Sequence, residues 1–314
     1  MTLIREITAP SRPAKGHIST RHPCFASLAP DAGTPGAAAP GGRIHLPVAP
    51  ACNIACRFCE RSIGHTKGAK REQRPGVADC VLTPEDAVEV VARSLELCPD
   101  LSVAGIAGPG DTLANPAALR TFRLVRERFP HLVRCLSTNG LLLAERIDDL
   151  IEAGVDTLTV TVNETDPARL ALINDHVIYH GRRFTGEEAA HILIERQLAG
   201  IAAAAEYDLL IKVNTVLIPG INDDHIGAIA QRVAKAGASV FNIIPLIPNA
   251  KMAHLTAPTC AEIDRARAAA ERFITVFRHC QHCRADAIGF VGGEDFSERV
   301  YHTRLPQANT FSHG

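Results

Sequence analysis

Short apolar runs alternate with helix-like segments along most of the chain, starting at residue 44. The runs typical of β-strands are IHLPVAP at 44–50, LSVAGIAG at 101–108, LVRCLSTNG at 132–140, DTLTVTVN at 156–163, DLLIKVNTVLIPG at 208–220 and SVFNIIPLIP at 239–248. Between the first two, Thr83 is a candidate N-cap for the helical stretch PEDAVEVVARSLEL. Apolar strands that alternate with helices indicate a parallel sheet with both faces covered. Both a doubly wound sheet and a barrel-like closure fit this pattern.

The two ends of the chain lack this alternation. Residues 1–43 are rich in Pro, Gly, Ala and Ser around one island, RHPCF, and are expected to form an irregular extension. Residues 44–275 contain no strong linker, so we expect them to form one domain. Residues 276–314 are a C-terminal tail that contains RHCQHCRADAIGFVGGED.

Composition and charge narrow the range of partners. The chain has 314 residues, 46% of them apolar, which is enough for one large α/β domain. Lys and Arg total 33 against 34 Asp and Glu, so no global positive field favours nucleic acid or an anionic membrane. No run of about 18 apolar residues and no secretory signal is present. Small molecules or proteins are the expected partners, and the cytoplasm is the expected location.

The strongest chemical signal is CNIACRFC at 52–59, which directly follows the first predicted strand. A chain of this size in a reducing compartment uses clustered cysteines as metal ligands or catalytic groups more often than as disulfides. Cys52, Cys56 and Cys59 could hold three irons of a 4Fe-4S cluster and leave the fourth iron open. An open iron that chelates S-adenosylmethionine (SAM) permits one-electron cleavage of a C–S bond and release of a deoxyadenosyl radical. The position agrees, because ligands bind at the carboxyl ends of parallel strands.

A structural zinc site is the alternative for the same motif. Zinc in such a role usually takes four closed ligands, so His65 or a distant cysteine would have to complete the tetrahedron. The spacing and the location together favour the iron–sulfur interpretation.

Polar residues accompany the other predicted strands where a bound SAM would need them. They are Gly108, Gly110 and Asp111 after the second strand, Thr138 and Asn139 after the third, Asn163 after the fourth, and Lys212 and Asn214 in the fifth. The glycines would let the backbone approach a ligand closely, and Asp111 would cap or accept a hydrogen bond. Turn and cap chemistry alone could explain each of them. Together they favour a polar cofactor pocket.

The remaining cysteines fall into two groups. Cys280 and Cys283 form a CxxC pair that could be a redox dithiol, half a zinc site or two cluster ligands, and its place in a tail disfavours the redox interpretation. Cys24 in HPC and Cys135 at the end of the third predicted strand complete the candidate ligand set. Cys80, Cys98 and Cys260 are predicted to be structural, with Cys260 the least secure.

Seven strings resemble, in order, sequences of the NifB family of nitrogenase cofactor maturases. They are HPC, HLPVAPACNIACRFC, RPGV, GIAGPGDTLANP, KVNTVLIPGIND, NIIPLIP and RHCQHCRADAIG, and they span roughly residues 22–295. The resemblance implies a partial (β/α)6 barrel of the radical SAM type with irregular N- and C-terminal extensions. It also implies fusion of two 4Fe-4S units into an eight-iron precursor, with a carbide taken from the SAM methyl group.

The resemblance further implies where the two substrate clusters bind. Cys24 and Cys135, with His22 or His17, would match one site, and Cys280 and Cys283 would match the other, with Cys260 as an uncertain third ligand. Cys135 is the candidate catalytic residue, because methyl transfer would occur at the substrate that it holds. Iron–sulfur delivery proteins and cofactor carrier proteins are the implied partners of a monomeric chain.

The sequence also departs from the family pattern. Glu60 and the cysteine-free SIGHTKGAKREQ follow the motif, ALINDHVIYHG is unusual, and the small C-terminal cofactor-binding domain of some members has no counterpart. A diverged radical enzyme with auxiliary clusters that modifies a peptide or another organic substrate is therefore an alternative. A non-catalytic iron–sulfur or zinc scaffold is another.

Overall fold

The computed structural model describes residues 22–26, 41–60, 63, 76–207, 209–280, 283–290 and 294–301. The helices are α1 (Pro23–Ala26), α2 (Pro84–Leu97), α3 (Pro116–Arg128), α4 (Ile147–Glu152), α5 (Pro167–Ile173), α6 (Gly186–Glu206), α7 (Ile226–Ala236), α8 (Cys260–Glu271) and α9 (Ser297–Tyr301). The strands are β1 (Gly42–His45), β2 (Ile54–Cys56), β3 (Leu101–Ile106), β4 (Val133–Thr138), β5 (Thr157–Thr161), β6 (Asn174–Tyr179), β7 (Arg182–Phe184), β8 (Leu210–Leu217), β9 (Val240–Pro245), β10 (Thr275–Phe277) and β11 (Ile288–Gly289).

The main sheet has eight strands in the order β10-β9-β8-β5-β4-β3-β1-β11. All neighbours from β1 to β10 pair in parallel, and only β11 is antiparallel, on the free edge of β1. Strands that follow one another in chain order with helices between them give a partial (β/α) barrel, which remains open since no pairing joins β10 to β11 among the described residues. The predicted fold class is confirmed.

The six predicted strands correspond to β1, β3, β4, β5, β8 and β9, and the predicted helix after Thr83 is α2. The Thr83 hydroxyl accepts a hydrogen bond from the Asp86 backbone N–H at 3.1 Å, which is the expected N-cap contact. Two strands in and beside the predicted tail, β10 and β11, were not predicted. Most of residues 1–43, including His17, and the segment containing His65 lie outside the described residues.

Side chains of the parallel strands alternate between two different environments. Ile44, Leu136, Leu158, Ile211 and Phe241 are buried in the core that the helices complete. The residues between them point to the opposite face, which we call the inner face. The inner face carries Arg43, His45, Cys135, Thr157, Lys212, Asn214 and Asn242. The sheet thus presents a row of polar and ionisable groups to its interior, where a ligand would bind.

A second, three-stranded sheet, in the order β2-β6-β7, lies at the CxxxCxxC motif. Strand β2 contains Cys56 and pairs antiparallel with β6, with Ile54 opposite Val177. The Arg57 N–H donates to the Ile173 carbonyl at 2.8 Å, and the Ile178 N–H donates to the Asn53 carbonyl at 2.8 Å. The unusual string ALINDHVIYHG contains β6 and the turn that leads to β7, and β6 holds the motif in an extended shape.

Candidate functional site

The cysteine motif follows β1, at the carboxyl ends of the parallel strands. Cys52 is buried, whereas Cys56 and Cys59 are partly exposed, and the Cys59 N–H donates to the Cys56 carbonyl at 3.0 Å. The start of the motif is fixed by Asn115, whose side chain accepts from the Ala51 N–H at 3.2 Å and donates to the Ala51 carbonyl at 2.8 Å. The Asn115 side chain therefore fixes the backbone at the start of the cysteine loop.

The GPGD segment contacts the cysteine loop closely. The Gly110 N–H donates to the Ala49 carbonyl at 2.5 Å, and the Asp111 N–H donates to the Ala51 carbonyl at 2.8 Å. A Cβ atom on Gly110 would lie 2.0 Å from the Ala51 carbonyl oxygen, so only glycine fits. Gly108 adopts a φ of +124°. The close neighbour of Gly110 is thus the motif backbone, and contact of either glycine with SAM stays a prediction.

Asp111 joins the ends of β3 and β4. Its buried carboxylate accepts hydrogen bonds from the Thr138 hydroxyl at 2.9 Å, the Asn139 N–H at 2.6 Å and the Leu113 N–H at 3.0 Å. The predicted capping role of Asp111 is therefore present, at a short 3-10 turn over 112–114. These hydrogen bonds occupy the Asp111 carboxylate and the Thr138 hydroxyl, which the sequence analysis had assigned to a cofactor pocket.

Asn139 reaches the cysteine loop directly. Its side-chain amide donates to the Asn53 side chain at 2.6 Å and lies 3.9 Å from the Cys52 sulfur. Its backbone carbonyl accepts from Gln197 at 2.7 Å. An N–H group beside a ligand sulfur is one of the means by which proteins adjust iron–sulfur potentials.

Asn163 and Asn214 have partners within the protein. The Asn163 side chain accepts from the Val216 N–H at 3.0 Å, and its carbonyl accepts from the Asn222 amide at 2.8 Å. Asn214 accepts from the Asn242 amide at 3.0 Å on the inner face. Neither contact excludes a further role toward a ligand, which stays a prediction.

Lys212 and the N-terminal cysteine are direct neighbours. The Lys212 ammonium donates to the Cys24 sulfur at 2.9 Å. Burial raises the pKa of the Cys24 thiol, but the Lys212 charge and a hydrogen bond with His22 outweigh it and hold the pKa well below its usual range. The sequence had grouped Lys212 with the SAM pocket, whereas the structure places it against a candidate cluster ligand.

His22 has a ring nitrogen suited to a metal. Its Nδ1 accepts a hydrogen bond from the Cys24 N–H at 3.2 Å, while its buried Nε2 has no partner among the described residues. Burial lowers the pKa of His22, which favours the neutral imidazole. Because Nδ1 accepts from the Cys24 N–H, the neutral ring carries its proton on Nε2, and binding of iron at Nε2 would require that proton to leave or to move to Nδ1. A buried, unpaired imidazole nitrogen beside a thiol fits a cluster ligand.

Cys135 lies inside β4 on the inner face, whereas the sequence had placed it at the end of its strand. Burial raises the pKa of its thiol, and a neighbouring Cys24 thiolate raises it further. Cys283 lies on the same side of the sheet, with its sulfur 3.6 Å from the Arg43 guanidinium. Burial is the main cause of the raised pKa of Cys283, to which the Cys280 and Cys24 charges contribute. The contacts with Lys212 and Arg43 therefore bring Cys24 and Cys283 to the face of the sheet that carries Cys135.

The segment after Cys283 is anchored by a buried ion triad that the sequence did not reveal. Arg284 binds Asp79 at 2.7 Å and Asp286 at 2.8 Å, and its side chain is 1% exposed. The Arg284 carbonyl contacts the His45 ring at 2.9 Å. Burial is the main reason that the pKa of His45 falls to about 4. Arg284 and Asp286, the charged residues of the CRADA string, therefore fix the C-terminal cysteine pair to the edge of the sheet.

Cys260, the uncertain ligand, begins α8 and is exposed. Within the described part of the chain, no three His, Cys, Asp or Glu side chains are grouped to hold a single metal ion. The zinc alternative needs four ligands converging on one ion and would draw on His65, which lies outside the described residues. The three thiols of the motif suit a cluster better, because a cluster spreads its ligands over several irons.

Comparison with known proteins identifies the family. Residues 46–233 match the Radical SAM superfamily. A FeMo cofactor biosynthesis protein NifB from Methanocaldococcus infernus is 45% identical over 293 residues, which cover 93% of each chain. This chain belongs to the NifB family of radical SAM enzymes. Family membership implies a 4Fe-4S cluster and SAM, and the cysteine motif at 52–59 is the part of the chain that fits them.

Other relatives agree with this assignment. The Klebsiella pneumoniae NifB is 43% identical over 273 residues, which cover 84% of this chain and 56% of that protein. A radical SAM methyltransferase from Sphaerobacter thermophilus has the same fold, with a TM-score of 0.51, 21% identity and coverage of 76% of this chain and 64% of that one. No helix in the described part of the chain combines the length and apolar content of a membrane span.

Proposed function

We propose that this NifB-family enzyme fuses two 4Fe-4S units into an eight-iron, carbide-containing precursor of the nitrogenase cofactor. The relatives are named for FeMo cofactor biosynthesis. The main structural support is that Cys24 contacts Lys212 and Cys283 contacts Arg43, on the inner face that also carries Cys135. Iron–sulfur delivery proteins, cofactor carriers and a cytoplasmic location belong to the same proposal.

Each group of residues has a separate task in this proposal. Cys52, Cys56 and Cys59 hold the resident cluster, which when bound supplies the electron for SAM cleavage. Asn115 and Asn139 keep the loop in shape. His22, Cys24 and Cys135 bind one substrate cluster, and Cys280 and Cys283 bind the other. The protein thereby brings the reactants together at one site.

Two coproducts follow from the proposed chemistry. One SAM transfers its methyl group to a substrate sulfur and leaves as S-adenosylhomocysteine. A second SAM takes one electron and yields methionine and a deoxyadenosyl radical, which abstracts a hydrogen atom from that methyl group and becomes deoxyadenosine. Anaerobic reconstitution with methyl-labelled SAM should therefore give both coproducts and label in the iron–sulfur product. Deoxyadenosine alone would contradict carbide insertion and favour a peptide or other organic substrate.

The auxiliary ligands predict a high iron content. Anaerobically prepared protein should hold well over four irons per chain, because the SAM motif accounts for only one 4Fe-4S cluster. Replacing Cys280 and Cys283 together with Ala should lower the iron count by about one cluster, measured by chemical iron analysis. Cys98→Ala is the matched control, because Cys98 is buried in the helix-side core. A count of about four that neither change alters would remove the auxiliary clusters.

Cys135→Ala should separate the two uses of SAM. The variant is expected to keep the resident cluster and some deoxyadenosine formation, since Cys135 lies outside the motif, but to lose S-adenosylhomocysteine and the eight-iron product. Both coproducts are measured by liquid chromatography, and the product by activation of cofactor-free nitrogenase. A Cys135→Ala protein that makes both coproducts and still activates nitrogenase would rule out its role.

A further inference from the structure

Two cations point into the inner face from different strands. Lys212 is in β8 and is only 5% exposed, and its ammonium lies 2.9 Å from the Cys24 sulfur. Arg43 is in β1, and its guanidinium lies 3.6 Å from the Cys283 sulfur. Strands β3, β4 and β5 separate them in the sheet, so positive charge faces the interior from two walls.

The partners of these cations are sulfur atoms. Within the described residues, neither Lys212 nor Arg43 forms an ion pair with a carboxylate, although burial of an unpaired cation is costly. Lys212 also lies 5.8 Å from the centre of the Phe277 ring, which leaves the other side of the ammonium in apolar surroundings. The positive charges of Lys212 and Arg43 must therefore be neutralised by the thiolates and by the group that the thiolates bind. By contrast, Arg284, which lies at the same edge of the sheet as Arg43, forms ion pairs with Asp79 and Asp286.

We propose that Lys212 and Arg43 form a cationic cradle for the anionic iron–sulfur substrate, with Lys212 donating a hydrogen bond to the Cys24 side of it. This inference rests on the proposed function, because it takes Cys24 and Cys283 as substrate ligands. An iron–sulfur core held by thiolates is anionic, and its sulfurs accept hydrogen bonds. The two side chains are positioning residues, since they act on the substrate through charge and orientation.

The sign of the expected redox effect is fixed by electrostatics. Reduction adds negative charge to the cluster, so a nearby cation favours the reduced form and raises the potential. Lys212→Met should lower the potential of the substrate cluster beside Cys24. It should also weaken cluster retention about tenfold, the effect expected for loss of one charge-assisted hydrogen bond. Lys212→Arg keeps the charge and should stay close to the parent protein in both measurements.

The test uses the full chain with Cys52, Cys56 and Cys59 changed to Ala, so that only auxiliary clusters are counted. A synthetic thiolate-ligated 4Fe-4S cluster is the probe, and iron retained after desalting is measured at increasing salt, together with potentials from titrations followed by electron paramagnetic resonance. Lys235→Met removes an exposed cation at the end of α7 and is the matched control. We expect Lys212→Met and Arg43→Gln to weaken retention and the control to leave it unchanged.

The outcomes separate this inference from the proposed function. If Cys24→Ala and Cys135→Ala lower the iron content while Lys212→Met leaves retention and potential unchanged, the cradle is wrong and the ligand assignment stands. If those cysteine changes leave the iron content unaltered, the proposed function itself fails. Circular dichroism checks folding, and should Lys212→Met not fold, unchanged retention and potential in Arg43→Gln overturn the cradle.

Discussion

Replacement of Cys52, Cys56 and Cys59 by alanine is expected to abolish reductive cleavage of SAM. In the proposed function the three thiols hold the resident cluster, and without them SAM loses the open iron through which one electron reaches its sulfonium. The measurement is deoxyadenosine formed under dithionite, quantified by liquid chromatography against anaerobically reconstituted parent protein. Deoxyadenosine formation should be lost completely, because the loop backbone alone cannot hold a cluster once all three thiols are gone.

The control for this prediction must separate cluster loss from general unfolding. Cys98→Ala changes a buried thiol on the helix side of the sheet, far from the motif in the fold, and should retain cleavage. Circular dichroism should show the same helix content in the parent and the triple variant, because the loop is held by β6 and Asn115. Cleavage at the parent rate in the triple variant would disprove the assignment of the motif.

The second large effect is expected from Arg284→Met. This change leaves Asp79 and Asp286 buried without their counter-charge, which typically costs about 3–5 kcal/mol in the free energy of unfolding. Urea denaturation followed by circular dichroism measures the loss. Asp79→Asn and Asp286→Asn added to Arg284→Met should restore part of the stability, because the buried charges are then gone.

An exposed ion pair nearby supplies the comparison. Arg299 lies 3.8 Å from Glu294, and both side chains are more than half exposed. Arg299→Met should therefore change the free energy of unfolding by less than about 1 kcal/mol. Equal effects of Arg284→Met and Arg299→Met would show that the triad does not anchor the C-terminal segment.

The parts of the fold that could be predicted depend on local pattern. Apolar runs gave the parallel strands, and a Thr83 cap followed by acidic residues gave α2, because each signal lies within one element. The sequence also assigned Lys212 and Asn214 to the strand that is β8. Which face points inward depends on the curvature of the whole sheet, so Lys212 was grouped with SAM although it contacts Cys24.

Long-range pairings were not predictable in the same way. Strand β2 is three residues long and acquires its shape from β6, far along the chain. No local signal in the sequence pairs Arg284 with Asp79, which is 205 positions away. Charged residues are usually exposed, and only the tertiary structure reveals the pair that lets these be buried.

The pairing of β2 with β6 has a consequence for biosynthesis of the enzyme itself. Arg57 binds Asp175, 118 positions later, so a ribosome must complete the hairpin before the cysteine loop can take its final shape. A nascent chain exposes three thiols long before their supporting strand exists. Acquisition of the resident cluster is therefore expected only after β6 has been synthesised, and a chain truncated before β6 should emerge as an iron-free protein whose thiols alkylate readily.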